Sequence, residues 1–426
     1  MQPITFCINT ARNEINHIKL LFESLKQNLS TLNHEILVFV DSDNQGTAGW
    51  LISQKQVFPN LKILKNELPI PYGYQRNINE LFEAASNEIV SYLQSDMVVC
   101  KNYDIEVLKH LKPNMILCST RIEPPLHGNS GEKITYDFGL DPEDFNLDAF
   151  TQYAERQKQE KITEYFFAPF TLYKDTWNSI GGHDTLFRRS REDSDILTRL
   201  SLNDSKIIQV WNAIVYHFTC TSSRGKNWFD SNNREAQSRV RLQEVADQIE
   251  MGKFLRKWGR FNHSVDKIPY YKISANILGK NPPLNKILAI ESFFDKVYVE
   301  DVSIIDLIQE EYDRQQFIAN QLLNVSDEDW EEYKYMFNRL SHKDRIYPLS
   351  ESNGEIVVEF NINEIDDAAA QQFLPFMQQI IHDTEELGDF EFSSFKISIN
   401  EKCDRSKDRI LISNPSIKKE HLYKIL

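Results

Sequence analysis

The sequence predicts an α/β protein built on a doubly wound, mostly parallel sheet flanked by helices, with a C-terminal helical and α+β region. Two observations favour this fold class. Short apolar segments alternate with helical apolar stripes over residues 4–93, as in consecutive βαβ units. Polar turns rich in aspartate follow two of these segments, and doubly wound sheets bind their ligands where the strands end.

The predicted strands of this region are short and apolar throughout, as expected for strands that are buried on both faces. They comprise residues 4–8, 35–40, 61–64 and 88–93. Between them, residues 14–29 and 75–86 carry apolar side chains at helical spacing. Further along, residues 206–218 predict another strand and residues 234–259 predict a long helix.

The length of the chain predicts more than one domain, because 426 residues are too many for one ordinary core. The composition changes after about residue 262. We therefore expect a first domain over residues 1–262, which would carry the function, and an accessory region over residues 263–426. Within the accessory region, we predict that residues 287–345 are helical and that residues 353–426 form a small α+β unit.

The composition excludes several classes of protein. Asp and Glu outnumber Lys and Arg, 63 against 48, and a surface that coats nucleic acid needs a basic field, so we expect no nucleic-acid partner. No apolar stretch approaches the ~20 residues of a membrane span, and the N-terminus lacks a signal-peptide pattern. The five cysteines are scattered without metal-site spacing, which suits a reducing compartment. We expect a cytoplasmic protein without a transmembrane segment, and a homo-oligomer is compatible with the sequence.

Aspartates follow the second and fourth predicted strands, in "DSDNQGT" and "QSDM". Asp41, Asp43 and Asp96 would therefore lie at one edge of the sheet, where a carboxylate can hold a divalent metal on phosphate oxygens. His217 ends a later predicted strand, and an imidazole beside a carboxylate and diphosphate oxygens is a sensible shell for Mn²⁺. Taken singly, a turn aspartate and a packed imidazole are the simpler explanations.

Two glycine-containing turns add candidate ligand contacts. "PYGYQRNINELF" places Gly73 in a flexible turn and Arg76 near a helix start, which suits a phosphate or a polar base. In "SIGGHD", Gly182 completes a double-glycine turn that lets the backbone approach a ligand closely. Each stretch also has a simpler explanation: the first is a solvated arginine on an ordinary first turn, and the second is a plain connection between elements.

The stretch Arg188–Leu200, "RRSREDSDILTRL", crowds three carboxylates and four arginines ahead of an apolar helical turn. Acids in a first helical turn also suit the helix dipole. Together with the preceding "IGGHDTLF", this stretch resembles the GG-x-D and ED-x-D-L-x-x-R segments of family-2 glycosyltransferases with a GT-A fold. The resemblance covers about residues 3–225, over which the strand-end acids, the glycine turns and the late histidine follow in that family's order.

The resemblance implies that a sugar is transferred, with inversion, from a nucleotide-diphosphate sugar to an acceptor hydroxyl. It implies that Asp193, with Glu192 beside it, is the general base, and that Asp96 and His217 bind Mn²⁺ or Mg²⁺. The implied nucleotide-sugar-binding residues are Thr10, Asn13, Asp41, Asp43, Gly73, Arg76, Gln94, Ser95 and Gly182. The donor sugar stays open, and so does the choice between a glycan, a lipid-linked and a protein acceptor.

Gln94 departs from the family's pattern, since it stands where the Asp-x-Asp motif has its first aspartate. A glutamine still hydrogen-bonds a ribose hydroxyl but brings no charge, so the metal would depend more on His217. The departure leaves open a non-catalytic nucleotide- or carbohydrate-binding protein on the same fold. A nucleotidyltransferase is a second alternative, although the turn after the first strand, "NTARNEINH", has no glycine for a phosphate loop.

Overall fold

The computed structural model of the chain describes residues 2–67, 72–126, 130–165, 167–187, 190–219, 231–232, 234–261, 269–308, 310, 345–411 and 423–426. These residues form two compact units. The first unit comprises residues 1–188, 203–243 and 412–426, and the second unit comprises residues 189–202 and 244–411. The units do not coincide with the segments 1–262 and 263–426, and the boundary between functional domains stays a prediction. No helix in the described part of the chain is long and apolar enough to cross a membrane.

Strands and helices are numbered along the chain. The strands are β1 (Ile4–Thr10), β2 (Glu35–Val40), β3 (Leu61–Asn66), β4 (Ile89–Gln94), β5 (Met97–Val99), β6 (Met115–Glu123), β7 (Lys133–Thr135), β8 (Ile162–Thr163), β9 (Phe170–Tyr173), β10 (Lys206–His217), β11 (Ile273–Leu278), β12 (Lys296–Val299), β13 (Ile346–Pro348), β14 (Ile356–Asn361), β15 (Gly388–Phe392), β16 (Phe395–Ile399) and β17 (Tyr423–Ile425). The helices are α1 (Ile15–Asn28), α2 (Thr47–Gln54), α3 (Tyr74–Ala84), α4 (Tyr103–His110), α5 (Leu147–Gln157), α6 (Lys174–Asn178), α7 (Glu192–Leu202), α8 (Arg234–Trp258), α9 (Leu284–Ile290), α10 (Asp367–Phe373) and α11 (Met377–Asp383).

The first unit is built on an eleven-stranded sheet with the order β17-β3-β2-β1-β4-β9-β6-β10-β5, in which β7 flanks β6 and β8 flanks β10. β1 runs parallel to β2 and β4, β2 to β3, and β6 to β10. β9 lies antiparallel between β4 and β6, so β1 to β4, β6 and β10 all point the same way. The predicted fold class, a mostly parallel sheet flanked by helices, is confirmed.

Burial explains why these segments form the centre of the sheet. Every residue of β2 is buried, and β4 is buried up to its last residue, Gln94. Helix α1 buries Ile18, Leu21 and Leu25, which recur at helical spacing on one face. The predicted strands and helices up to β4 are therefore confirmed, with ends that shift by one or two residues.

Strand β10 is bent, and the bend shapes the end of the sheet. Its pairing with β6 changes register between Val210 and Ile214, which marks a β-bulge. Beyond the bulge, Val215 to His217 pair antiparallel with β5. Because β5 begins directly after Asp96, the end of β10 is brought to the end of β4.

The second unit is built on a six-stranded sheet with the order β13-β12-β11-β14-β16-β15. β13, β12, β11 and β14 are parallel, and β16 and β15 continue the sheet antiparallel. Numbered within the unit, the parallel strands have the order 3-2-1-4, which is also the order of β3, β2, β1 and β4 in the first unit. The accessory region therefore contains a second doubly wound sheet.

The sequence analysis missed this second parallel sheet. It predicted residues 287–345 as helical, whereas β12 lies inside that range. β12 and β13 have four and three residues, too few to show a hydrophobic period. Residues 303–308 are helical as predicted, while residues 309 and 311–344 lie outside the described residues. Within the predicted α+β unit, Pro375 lies in a 3₁₀ turn that separates α10 from α11.

Candidate active site

The parallel strands of the first unit end at one edge of its sheet, which we call the carboxyl edge. β1 ends at Thr10, β4 at Gln94, β6 at Glu123 and β10 at His217, and Asp41 follows β2. Ligands of open α/β sheets bind outside the carboxyl ends of the strands. The carboxyl edge is therefore the place to examine for a binding site.

Asp96 and His217 lie side by side at the carboxyl edge. His217 pairs with Met97 across β10 and β5, and the N–H of Phe218 donates to the carbonyl of Asp96 over 3.1 Å. As a result, Nε2 of His217 lies 3.8 Å from Oδ2 of Asp96. The structure thus brings together the two residues that were expected to bind a metal.

Glu123, which the sequence analysis did not single out, holds the other side of the His217 ring. Nδ1–H of His217 donates to Oε1 of Glu123 over 2.8 Å, and Nζ of Lys133 lies 2.9 Å from Oε2. Burial disfavours the charge of Glu123, but the bond from His217 and the nearby charge of Arg121 hold its pKa well below the usual range. In the sequence, Glu123 stands in an irregular stretch before Pro124, so only the pairing of β6 with β10 reveals its partner.

The Asp96–His217 pair fits a divalent cation in part. A carboxylate oxygen and an imidazole nitrogen suit Mn²⁺, and at 3.8 Å the two atoms make no hydrogen bond with each other. The described residues contain no group of three or more His, Cys, Asp or Glu that could hold a metal ion. A cation at this pair would therefore need substrate oxygens or water for its remaining ligands.

Glu14 is a second acid that the sequence analysis left without a role. Its Oε2 accepts hydrogen bonds from Oγ–H of Ser95 over 2.5 Å and from N–H of Ala11 over 3.0 Å. It therefore ties the turn after β1 to the residue before Asp96. Burial is the largest of the influences that raise the pKa of Glu14 to about 7; the charge of Asp96 adds to it, and the bond from Ser95 opposes it.

Asp41, an expected contact of the nucleotide, is surrounded by protein donors. Its carboxylate accepts hydrogen bonds from N–H of Tyr72 and Gly73 and from the side-chain amides of Asn66 and Asn77, over 2.7–3.1 Å. These bonds fix the turn before α3, in which Gly73 has a φ of +97°. In this structure Asp41 builds the carboxyl edge, and a contact with nucleotide stays a prediction.

Asp43 and Asn13 also have protein partners. Asp43 accepts backbone N–H bonds from Thr47 and Ala48 at the start of α2, over 3.0 and 3.1 Å. The backbone N–H of Asn13 donates to Oδ1 of Asn44, and the side-chain amide of Asn44 donates to Oδ1 of Asn13, each over 3.1 Å. These contacts join the turns after β1 and β2, so both residues shape the edge whether or not they touch a ligand.

Arg76 lies in the first turn of α3, close behind Gly73. Its guanidinium carbon is 3.7 Å from the centroid of the Tyr72 ring, which stacks on Phe39 with centroids 5.4 Å apart. A stacked guanidinium keeps its planar donor face directed, which suits recognition of a phosphate or a polar base.

Several polar atoms around the carboxyl edge are buried without a hydrogen-bond partner in the part of the chain that the structure describes. They are Oε1 of Gln94, Oγ of Ser42, Nε2 of Gln75 and Oδ1 of Asn77. Buried polar atoms normally have partners, so such a group indicates where a polar ligand would complete the bonds. Gln94 thus presents an acceptor at the position where the sequence analysis expected contact with a ribose hydroxyl.

Gly182 packs tightly against other protein atoms. Its φ is +77°, and a Cβ there would lie 2.5 Å from Oδ1 of Asn79 and 2.7 Å from Nε1 of Trp177. Asn79 in turn bonds both N–H and C=O of His183, over 2.8 and 2.9 Å. The close approach that the structure shows at Gly182 is therefore to the protein itself, and its expected contact with a nucleotide sugar stays a prediction.

The predicted base, Asp193, and its neighbour Glu192 lie in the first turn of α7, in the second unit. Burial, followed by the charges of Asp193, Glu250 and Asp247, raises the pKa of Glu192 well above its usual value. Burial and the neighbouring acids therefore favour the protonated form of Glu192.

Asp195, in the same turn, has a structural role. Its carboxylate is paired with Nε of Arg199 over 2.8 Å and with Nζ of Lys257 over 2.6 Å, and it accepts Nε1–H of Trp258 over 2.9 Å. Asp195 and Arg199 are both fully buried. This network joins α7 to the end of α8 within the second unit.

The second unit also has an edge where its parallel strands end, but its polar groups satisfy one another. N–H of Gly279 donates to Glu300 over 2.7 Å, and N–H of Asn281 donates to Asp301 over 2.8 Å. Among its described residues, no buried side-chain polar atom at this edge lacks a partner. Among the described residues, partnerless buried polar atoms therefore occur at the edge of the first sheet and not at that of the second.

No protein-family model matches the chain, and no curated protein resembles it significantly in sequence. Among solved structures, it is similar to GalNAc-T7 with UDP, GalNAc and Mn²⁺, with 15% identity, a TM-score of 0.39 and coverage of 50% of this chain and 43% of that one. It is also similar to the mannosyltransferase PcManGT from Pyrobaculum calidifontis in complex with GDP-Man and Mn²⁺, with 14% identity, a TM-score of 0.39 and coverage of 59% and 65%. For S. aureus TarS the identity is 14%, the TM-score 0.41 and the coverage 79% and 55%. The chain spans less than two thirds of each of these structures, and their TM-scores are too low to carry an argument.

Proposed function

We propose that the protein is a glycosyltransferase that binds a nucleotide-diphosphate sugar at the carboxyl edge of the first unit and transfers the sugar to an acceptor hydroxyl. The observation that carries the proposal is the meeting of Asp96 and His217, with Nε2 of the histidine 3.8 Å from Oδ2 of the aspartate. Oε1 of Gln94, two residues before Asp96, has no hydrogen-bond partner among the described residues, which supports a polar ligand there.

Different residues of the carboxyl edge would bind different parts of the donor. Asp96 and His217 would hold a Mn²⁺ or Mg²⁺ ion, which when bound would offset the charge that develops on the diphosphate leaving group. Gln94 would accept a hydrogen bond from the ribose. Arg76, fixed on the ring of Tyr72, would bond the nucleotide through its guanidinium.

The chemical step needs a base for the acceptor hydroxyl, and the proposal assigns this role to Asp193. Its support is the sequence motif, in which Asp193 matches the position of the family's general base. Direct attack of the hydroxyl on the anomeric carbon would invert the configuration there. The activity of the Asp193 and Glu192 variants tests the roles of both acids, and the anomeric configuration of the product tests inversion.

Glu14 weighs against a nucleotidyltransferase. Phosphate loops present free backbone N–H groups after the first strand, but here Glu14 accepts the N–H of Ala11 in that turn. A non-catalytic binding protein is the second candidate, favoured by the neutral Gln94 in place of an acid.

The proposal is tested by measuring the release of UDP or GDP from a panel of UDP- and GDP-sugars, with Mn²⁺ and with excess chelator. We expect metal-dependent release from one donor class in the parent protein. Asp193→Asn should lower turnover by roughly 10²-fold or more with nearly parental donor affinity, whereas Glu192→Gln should stay close to the parent. Donor binding without turnover in any of these proteins would favour the binding protein instead.

A further inference from the structure

Glu123 is a buried acid of the carboxyl edge to which the proposed function gives no role. We propose that Glu123 is the positioning residue of the metal site: it orients His217 toward the cation and supplies, through the imidazole, the carboxylate that the Gln94 position lacks. The inference rests on the proposed function, and it goes beyond it by assigning a residue that the sequence motifs do not include.

The orientation of the ring follows from the shorter of two hydrogen bonds at Nδ1 of His217; the longer one, with Oγ1 of Thr219, measures 3.3 Å. Nδ1–H of His217 donates to Oε1 of Glu123 over 2.8 Å. This bond fixes the tautomer, since the proton on Nδ1 leaves the lone pair on Nε2. Nε2 is the atom that lies 3.8 Å from Oδ2 of Asp96. Metal-binding histidines commonly show this arrangement, in which a carboxylate holds the ring nitrogen opposite the metal.

Glu123 is itself held in place. It is 5% exposed, and Lys133 and Arg121 lie 2.9 and 3.4 Å from its two oxygens. The backbone N–H of Tyr136 donates to its carbonyl over 3.0 Å. A side chain anchored on both oxygens and on the backbone presents a fixed acceptor, so the imidazole cannot turn without breaking a buried charged bond.

The contribution of Glu123 matters because Gln94 is neutral. Asp96 is the one acid of the "QSD" segment at the end of β4, where an Asp-x-Asp motif would supply two. A carboxylate bonded to the far nitrogen of a histidine makes that histidine a more basic ligand. Glu123 would therefore strengthen the bond of His217 to the cation and compensate for the missing charge.

The competing explanation is that Glu123 only pairs with Lys133 to stabilise β6 and β7. This explanation predicts that removal of Lys133 and removal of Glu123 have the same effect. A second buried pair provides a control for lost stability alone: Nε2 of His34 lies 3.1 Å from Oδ2 of Asp104, also in the first unit. Asp104→Asn weakens a comparable pair but does not touch His217.

The test is Mn²⁺ binding to the full chain in the presence of UDP and, separately, GDP. Electron paramagnetic resonance gives the affinity from free Mn²⁺, and electron spin echo spectra show whether an imidazole ¹⁴N is bound directly to it. We expect a ¹⁴N signal in the parent and none in His217→Ala. Glu123→Ala should weaken Mn²⁺ binding by roughly 10–100-fold and diminish the ¹⁴N signal, and Glu123→Gln should lie between it and the parent.

In Lys133→Met, Oε1 of Glu123 keeps its hydrogen bond with His217 and its contact with Arg121, so this variant should keep the ¹⁴N signal and bind Mn²⁺ within a few-fold of the parent. Asp104→Asn should do the same. A parental affinity and ¹⁴N signal in Glu123→Ala would overturn the positioning role while leaving the proposed function intact. Equal losses in Glu123→Ala and Lys133→Met would overturn it in favour of a structural ion pair. No Mn²⁺ binding by the parent with either nucleotide would overturn both the inference and the metal-dependent function.

Discussion

At the scale of single residues, the acids of the carboxyl edge differ in what their oxygens contact. Asp41 and Asp43 bond backbone N–H groups and amides, and so they build the turns that shape the edge. Asp96 lies instead beside the imidazole nitrogen of His217. The sequence predicted all three as ligand contacts, because it shows which residue types follow a strand but not which donors surround them.

The raised pKa of Glu14 predicts how the free energy of unfolding depends on pH. Its pKa rises from 4.5 to about 7 in the folded chain, so the folded state binds this proton more tightly than the unfolded state. The free energy of unfolding should therefore fall as the pH rises through that window. Glu14→Gln cannot ionise, and it should remove a fall on the order of 3 kcal/mol.

Urea unfolding of the metal-free protein across this pH window measures the effect. The matched control is Glu88→Gln, which alters an exposed acid of the same unit. Its pH dependence should follow that of the parent. A Glu14→Gln variant whose stability changes with pH as much as the parent's would show that Glu14 is charged throughout.

At the scale of elements, the longer and more fully buried strands are the ones that the sequence predicts. The strands β1, β2 and β4 are continuous apolar runs between polar turns, so the sequence alone located them. The short β12 and β13 carry no visible period, and the second sheet was missed with them. Glu123 was missed for another reason: its role depends on the pairing of β6 with β10, which is a non-local contact.

The turn after α6 supplies the first element-scale prediction. Gly182→Ala combines a φ of +77° with a Cβ only 2.5 Å from Oδ1 of Asn79, so it should destabilise the protein by roughly 2–4 kcal/mol. Gly139→Ala is the control, because its φ is +100° but no atom of the described residues lies within 4 Å of its Cβ. Chemical denaturation should rank Gly182→Ala as the more costly change. Equal losses would mean that contact with Asn79 does not matter.

The contact between α7 and the end of α8, within the second unit, supplies the second element-scale prediction. Asp195→Asn removes the anion paired with the buried Arg199 and the partly exposed Lys257, and it should cost roughly 3–5 kcal/mol of unfolding free energy. Asp389→Asn removes an exposed partner of Lys396 at 3.8 Å and should cost less than about 1 kcal/mol. Thermal and urea unfolding compare the two. A near-parental stability of Asp195→Asn would show that its ion pairs with Arg199 and Lys257 do not stabilise the second unit.

At the scale of the whole molecule, the chain contains two parallel sheets with the same 3-2-1-4 strand order and different edges. At the edge of the second sheet, Glu300 and Asp301 are engaged by N–H groups of the turn after β11. At the carboxyl edge of the first, Asp96 meets His217 and Gln94 keeps a partnerless acceptor among the described residues. The same strand order therefore does not imply the same function, and the donor is assigned to the first sheet.

The most direct test of this assignment is calorimetric titration of UDP- and GDP-sugars with Mn²⁺ into the parent, Asp96→Asn and Asp301→Asn proteins. Asp96 and Asp301 are acids at the strand ends of the first and the second sheet, so each variant serves as the other's control. We predict that Asp96→Asn weakens donor binding by at least roughly tenfold, the lower end of what losing one hydrogen-bonded charge costs, and that Asp301→Asn binds like the parent. Parental binding by Asp96→Asn together with lost binding by Asp301→Asn would contradict the account.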